Sequence, residues 1–226
     1  MIQRRTFLAA LAGAFTATAS RAQDVGQWYP LLGDNGRPVV NTRLPVELTA
    51  EVEDLPGAIW LGSESRALML VEFFDYNCPF CRAAMADVHA LLESEPDLRV
   101  GLVNNAILSP ASVEAAKVEL ALSRLGRPAS VYRFHRRLFE RRGTLDGARA
   151  LEVAEELGAP RGKVQELAAG AEVAAMLKEQ MRLGASLGMT ATPSFVIANT
   201  GVLGYPGPKA LKRVVDAVRR CDRVSC

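Results

Sequence analysis

Two cysteines separated by two residues, Cys78-Pro79-Phe80-Cys81, carry the clearest chemistry in this chain. Thiols at this spacing at a helix start can close a small disulfide with little backbone movement, and can exchange it with other thiols. The chain holds four cysteines and two histidines, and no second close Cys or His pair completes a zinc site. Two close thiolates also suit Cu(I), a soft ion, so a copper-carrying chaperone is the alternative from another functional class. Cys221 and Cys226 form a second pair, CxxxxC. Their expected role is a structural disulfide closing a small loop. A second redox relay, a metal contact and intermolecular pairing are the alternatives. His89 and His135 read as packing or surface histidines, and Asp75 as a solvated loop acid without a role. The basic cluster Arg133, Arg136, Arg137, Arg141 and Arg142 reads as a solvated helix face.

Residues 68–74, LMLVEFF, are nearly continuous apolar sequence and predict a buried central strand. Beyond the motif, Ala84, Met85, Val88, Leu91 and Leu92 recur at helical spacing. Pro79 suits the first helical position, where its missing N–H costs nothing. The order strand, tight loop, helix puts Cys78 at the exposed helix start, facing free N–H groups and the positive end of the helix dipole. Both lower its pKa. Cys81, a turn further in, is expected to be less exposed. A second strand over 98–103 completes a β-α-β unit. Residues 109–187 then read as helices only: 110–125, 128–141, one capped by Thr144 and ending at Gly158, and a broken one over 161–187. Strand pattern returns at 194–198, with a hairpin turn at Asn199-Thr200-Gly201 and a partner strand from Val202. A last helix runs over 208–220. The expected fold class is therefore α/β with an inserted all-helical domain at 109–187, between parts 61–108 and 188–226. Residues 23–60 read as an irregular lead-in with one edge strand.

Apolar residues make up 49% and charged residues 23%, a globular rather than a disordered composition. A net charge of +2 argues against a nucleic-acid binder, and no run of 18 apolar residues provides a stable membrane span. Residues 1–22 have the layout of a cleaved secretory signal: Arg4 and Arg5, an apolar stretch from Phe7 to Ala19, then Ser20-Arg21-Ala22. The paired arginines resemble a twin-arginine export signal. This segment holds Arg4, Arg5 and Arg21 and no acid, so the positive balance resides in the leader. Export to the periplasm would place the cysteines where disulfides persist.

The run Val71-Glu72-Phe73-Phe74-Asp75-Tyr76-Asn77-Cys78-Pro79-Phe80-Cys81 resembles the active-site stretch of the DsbA-like family of exported thioredoxin-fold thiol-disulfide oxidoreductases. Thr192-Pro193-Ser194-Phe195 resembles that family's cis-proline loop. The resemblance covers roughly residues 61–220 and implies a thioredoxin-like fold around the helical insertion. It implies Cys78 as nucleophile, Cys81 as resolving cysteine and Pro193 as the cis-proline. It further implies that the Thr192 backbone contacts substrate, that Glu72 is a buried acid moving protons, and that Pro79 and Phe80 tune the redox poise. No cofactor beyond the redox-active disulfide is implied. The partners implied are exported cysteine-containing proteins and a membrane or periplasmic redox partner that resets the pair. Phe80 departs from the histidine of the most oxidising members and can offer no conventional hydrogen bond to a thiolate. That leaves isomerase or reductase duty open beside oxidation.

Overall fold

The computed structural model describes residues 28–65, 67–126 and 128–226. The expected leader, 1–22, lies outside them. A six-stranded sheet forms the centre, with the short helix α1 (Val46–Glu51) between its first two strands in the chain. Its strands are β1 (Asn41–Arg43), β2 (Ile59–Gly62), β3 (Met69–Phe74), β4 (Arg99–Asn104), β5 (Ser194–Ile197) and β6 (Thr200–Leu203), in the order β1-β6-β5-β3-β4-β2. Only β3 and β4 run parallel, joined by helix α2 (Pro79–Ser94); the other neighbours are antiparallel. β3 is covered on both faces, which is why it reads as unbroken apolar sequence. Leu70 and Phe74 pack into a core shared with α2. Val71 and Phe73 pack into a second core on the opposite face.

Five helices separate β4 from β5: α3 (Pro110–Arg124), α4 (Pro128–Phe139), α5 (Gly147–Glu156), α6 (Arg161–Ala169) and α7 (Ala171–Ser186), before the last helix α8 (Pro208–Cys221). The break between α6 and α7 falls at Gly170. The helical block is not closed on itself. Leu183 and Leu187, from α7 and its end, pack with Val71, Phe73 and Val103 of the sheet. The main core likewise runs without interruption from β3 through α3, α4 and α5.

The segment before residue 61 is more structured than an irregular lead-in. β1 pairs with β6 at one edge and β2 pairs with β4 at the other. Short, partly polar edge strands lack the alternation that marks a strand in sequence. Asp34 accepts from the backbone N–H groups of Lys209 and Ala210 and so caps α8 across the chain. Two local expectations shift. Helix α5 is capped by Asp146, which accepts from Arg149 N at 2.9 Å, rather than by Thr144. The β5–β6 turn is at Ala198-Asn199, both with positive φ (45° and 54°), as a two-residue hairpin of matching twist requires. Gly201 belongs to β6, where a Cβ would come within 2.8 Å of the Met189 side chain.

Candidate active site

Cys78 is the N-cap of α2, and Pro79 takes the first turn, as the spacing predicts. The backbone N–H of Cys81 points at the Cys78 sulfur at 3.4 Å. Cys78 is far less exposed than a helix start suggests, at 4%. The reason is the loop before β5: the Cys78 thiol donates to the Thr192 carbonyl at 3.0 Å, and the Thr192–Pro193 peptide bond is cis. β5 pairs antiparallel with β3, and this carries the two motifs, distant in sequence, to the same end of the sheet. Both thiols are free in this structure, and Cys81 is buried completely.

The electrostatics separate the two sulfurs. A hydrogen bond from the Cys81 thiol lowers the pKa of Cys78 to about 6; Thr192 and the N–H groups of Cys81 and Phe80 add to it, and burial opposes it. Burial pushes Cys81 far above the ordinary thiol range. The Thr192 hydroxyl is buried and has no hydrogen-bond partner among the described residues; it adds to the pull that favours the Cys78 thiolate. Glu72 lies in the middle of β3 between Leu102 and Phe195 and is buried, not solvated at an edge. Burial, then the charge on Cys78, raises its pKa to about 8. Phe80 projects into solvent at 63% exposure beside the dithiol, and Pro79 is exposed as well. Cys221 and Cys226 are joined in a disulfide at the end of α8, away from this site, and the loop they close buries Val224 in the core.

Several site residues escape a reading of the sequence. Asp75, expected in solvent, is buried: its carboxylate accepts from Asn77 N at 2.8 Å and from Leu108 N at 3.0 Å. Its own N–H points at Cys81 Sγ at 3.5 Å. Tyr76 donates to Glu119, a carboxylate of α3 with no exposure, and lies 3.2 Å from His135 Nδ1. Asn104 of β4 donates to the other Glu119 oxygen at 2.7 Å. Thus His135 is a buried member of a polar cluster. The one sequence signal for Glu119 is its place inside the apolar run of α3. His89 is half-buried, between Tyr132, Arg136 and Glu93. Arg137 and Arg141 of the basic cluster pair with Glu156. Among the described residues, no group of three or more His, Cys, Asp or Glu side chains is placed to hold a metal ion. No described helix is long and apolar enough to cross a membrane.

Comparisons with known proteins agree with this geometry. Residues 69–217 match the model of the DSBA-like thioredoxin domain. A thioredoxin-like oxidoreductase from Silicibacter pomeroyi DSS-3 is 34% identical, with a TM-score of 0.69 over 75% of this chain and 96% of that one. The thiol-disulfide exchange protein alpha-DsbA2 from Wolbachia pipientis shares the fold at 21% identity, with a TM-score of 0.68 over 76% of this chain and 94% of that one. The catalytic domain of Proteus mirabilis ScsC does so at 22%, with a TM-score of 0.66 over 75% and 96%. A comparison with curated proteins finds no match. With its dithiol at the N-terminus of α2 and a cis-proline loop against it, the chain belongs to the DSBA-like thioredoxin family of thiol-disulfide oxidoreductases.

Proposed function

We propose that this is an exported, periplasmic protein that exchanges disulfides with cysteine-containing client proteins through Cys78 and Cys81. The observation that supports it best is the asymmetry of the pair: Cys78 has a pKa near 6 and lies against the Thr192 carbonyl, with Cys81 sealed beneath it. In the oxidised form a client thiolate attacks Cys78 Sγ and forms a mixed disulfide. The Cys78–Cys81 bond breaks, and its electron pair leaves on Cys81. Cys81 is strongly disfavoured as an anion and takes up a proton; the Glu72 carboxyl, protonated at neutral pH, supplies it. A second client thiolate attacks the client sulfur of the mixed disulfide. Cys78 leaves as a stabilised thiolate, and the client is oxidised by two electrons. The reverse sequence reduces a client, and a second redox protein returns Cys78 and Cys81 to the starting state. In this reading the backbone of Thr192 pairs with the extended client segment on either side of its cysteine. The leader-like residues 1–22 support the location.

The test is trapping. Cys81→Ser leaves Cys78 able to form mixed disulfides that cannot be resolved internally, so covalent client adducts accumulate on non-reducing gels. Adducts on Cys78→Ser and none on Cys81→Ser would invert the two roles.

A further inference from the structure

Of the three residues before Cys78, Tyr76 and Asn77 are held by the helical insertion and Asp75 by the backbone that leads into it. Asp75 is bound by Leu108 N, just before α3, and Tyr76 by Glu119 of α3. Asn77 is held most completely. Its Oδ1 accepts from Leu145 N at 2.8 Å, and its Nδ2 donates to Leu145 O at 2.9 Å and to Ser112 Oγ at 3.1 Å. The amide thereby satisfies both donors and its acceptor. Its anchor, Leu145, lies between α4 and α5 and is fully buried in the core. The same connection is gripped from the other side of the motif, where Arg82 donates to the Arg141 carbonyl. One stretch of chain, residues 141–145, therefore brackets the Cys78–Cys81 turn at the residue before it and the residue after it.

We propose that Asn77 is a positioning residue, and that through it the α4–α5 connection holds the Cys78 sulfur over the N-terminus of α2 and so sets its reactivity. The inference rests on the exchange role above. The Cys78 thiolate is stabilised by N–H groups whose benefit falls steeply with distance and angle. A turn cut free on its upstream side lets the sulfur leave those donors.

The experiment uses the reduced full chain and follows alkylation of Cys78 by iodoacetamide against pH, with the exchange equilibrium against glutathione and the unfolding temperature measured in parallel. Asn77→Ala is expected to lower the alkylation rate at pH 5 by about three- to tenfold, since tenfold corresponds to one pKa unit. At pH 9, where the thiolate predominates in both proteins, the rates are expected to agree within about twofold. Ser112→Ala, which keeps both bonds to Leu145, is expected to shift the profile in the same direction by less. A lower unfolding temperature with an unchanged pH profile and unchanged glutathione equilibrium would make Asn77 merely structural and overturn the proposal. If Asn77→Ala does not fold, an unchanged profile in Ser112→Ala overturns it. Failure of the wild-type chain to equilibrate with glutathione would count against the exchange role, while alkylation still reads what Asn77 does.

Discussion

Phe80 occupies the third position of the Cys78–Cys81 motif. It is solvent-exposed beside Cys78 and contributes only its backbone N–H to lowering that pKa. Phe80→His introduces a side chain that can donate a hydrogen bond or carry charge next to the thiolate. It should stabilise the reduced form and raise the reduction potential, with about 30 mV for each 1.4 kcal/mol. A glutathione titration of both proteins measures this, and an unchanged or lower potential would show that the position does not set the poise here. Glu72 and Cys78 act in opposite directions on the stability of the reduced protein. The folded state raises Glu72 from 4.5 to about 8, so it binds the proton more tightly than the unfolded chain, and stability falls as pH rises across that window. The folded state lowers Cys78 from 9.0 to about 6, so the unfolded chain binds more protons there, and stability rises with pH between those values. Glu72→Gln removes the first effect. In urea unfolding, the stability of the variant relative to wild type should climb from about pH 4.5 to pH 8, with a slope approaching about 1.4 kcal/mol per pH unit. A flat difference would place Glu72 in contact with water.

At the scale of elements, α2 begins where it does because Pro79 and the Cys78 cap favour a helix start, and both are local features. The start of α8 is different. Gly207 precedes it with a φ of 96° and offers no side chain to cap the helix; the cap comes from Asp34, more than 170 residues upstream. Asp34→Ala removes the acceptor for two backbone N–H groups and should cost about 1–2 kcal/mol of stability while leaving the Cys78 alkylation profile unchanged. Chemical unfolding beside that profile checks both parts, and full stability in the variant would mean that water replaces the carboxylate without loss. The residues before β2 thus tie into the same folded unit as α8.

Over the whole molecule, the site is assembled from parts that lie far apart in the chain. Cys78 and Cys81 come from the β3–α2 junction, Thr192 and Pro193 from the loop before β5, the anchor of Asp75 from the β4–α3 connection, and those of Tyr76 and Asn77 from the helical block. The Cys221–Cys226 disulfide takes no part in that assembly, and it pins a loop whose Val224 fills the core beside α8. Cys221→Ser combined with Cys226→Ser should lower stability by about 2 kcal/mol, through a less constrained unfolded chain, and leave exchange turnover near wild type. Loss of most turnover with the fold intact would make the pair a relay.

Features that depend on neighbours in the chain are legible in the order of residues. The CxxC turn, the strand before it and the helix after it follow from apolar period and from proline at a helix start. The helical character of residues 110–186 follows in the same way. The resemblance to the DsbA-like family brought in Glu72 and the cis bond before Pro193 as expectations, and the structure has one buried and the other cis. The remaining features depend on contacts between elements far apart in the chain. Asp75 reads as a loop acid, since nothing local reveals that Leu108 N will satisfy it. Glu119 and His135 look like ordinary helix residues until α3 and α4 close over Tyr76. Burial of a polar group is governed by partners from other elements, and those partners exist only once the chain has packed.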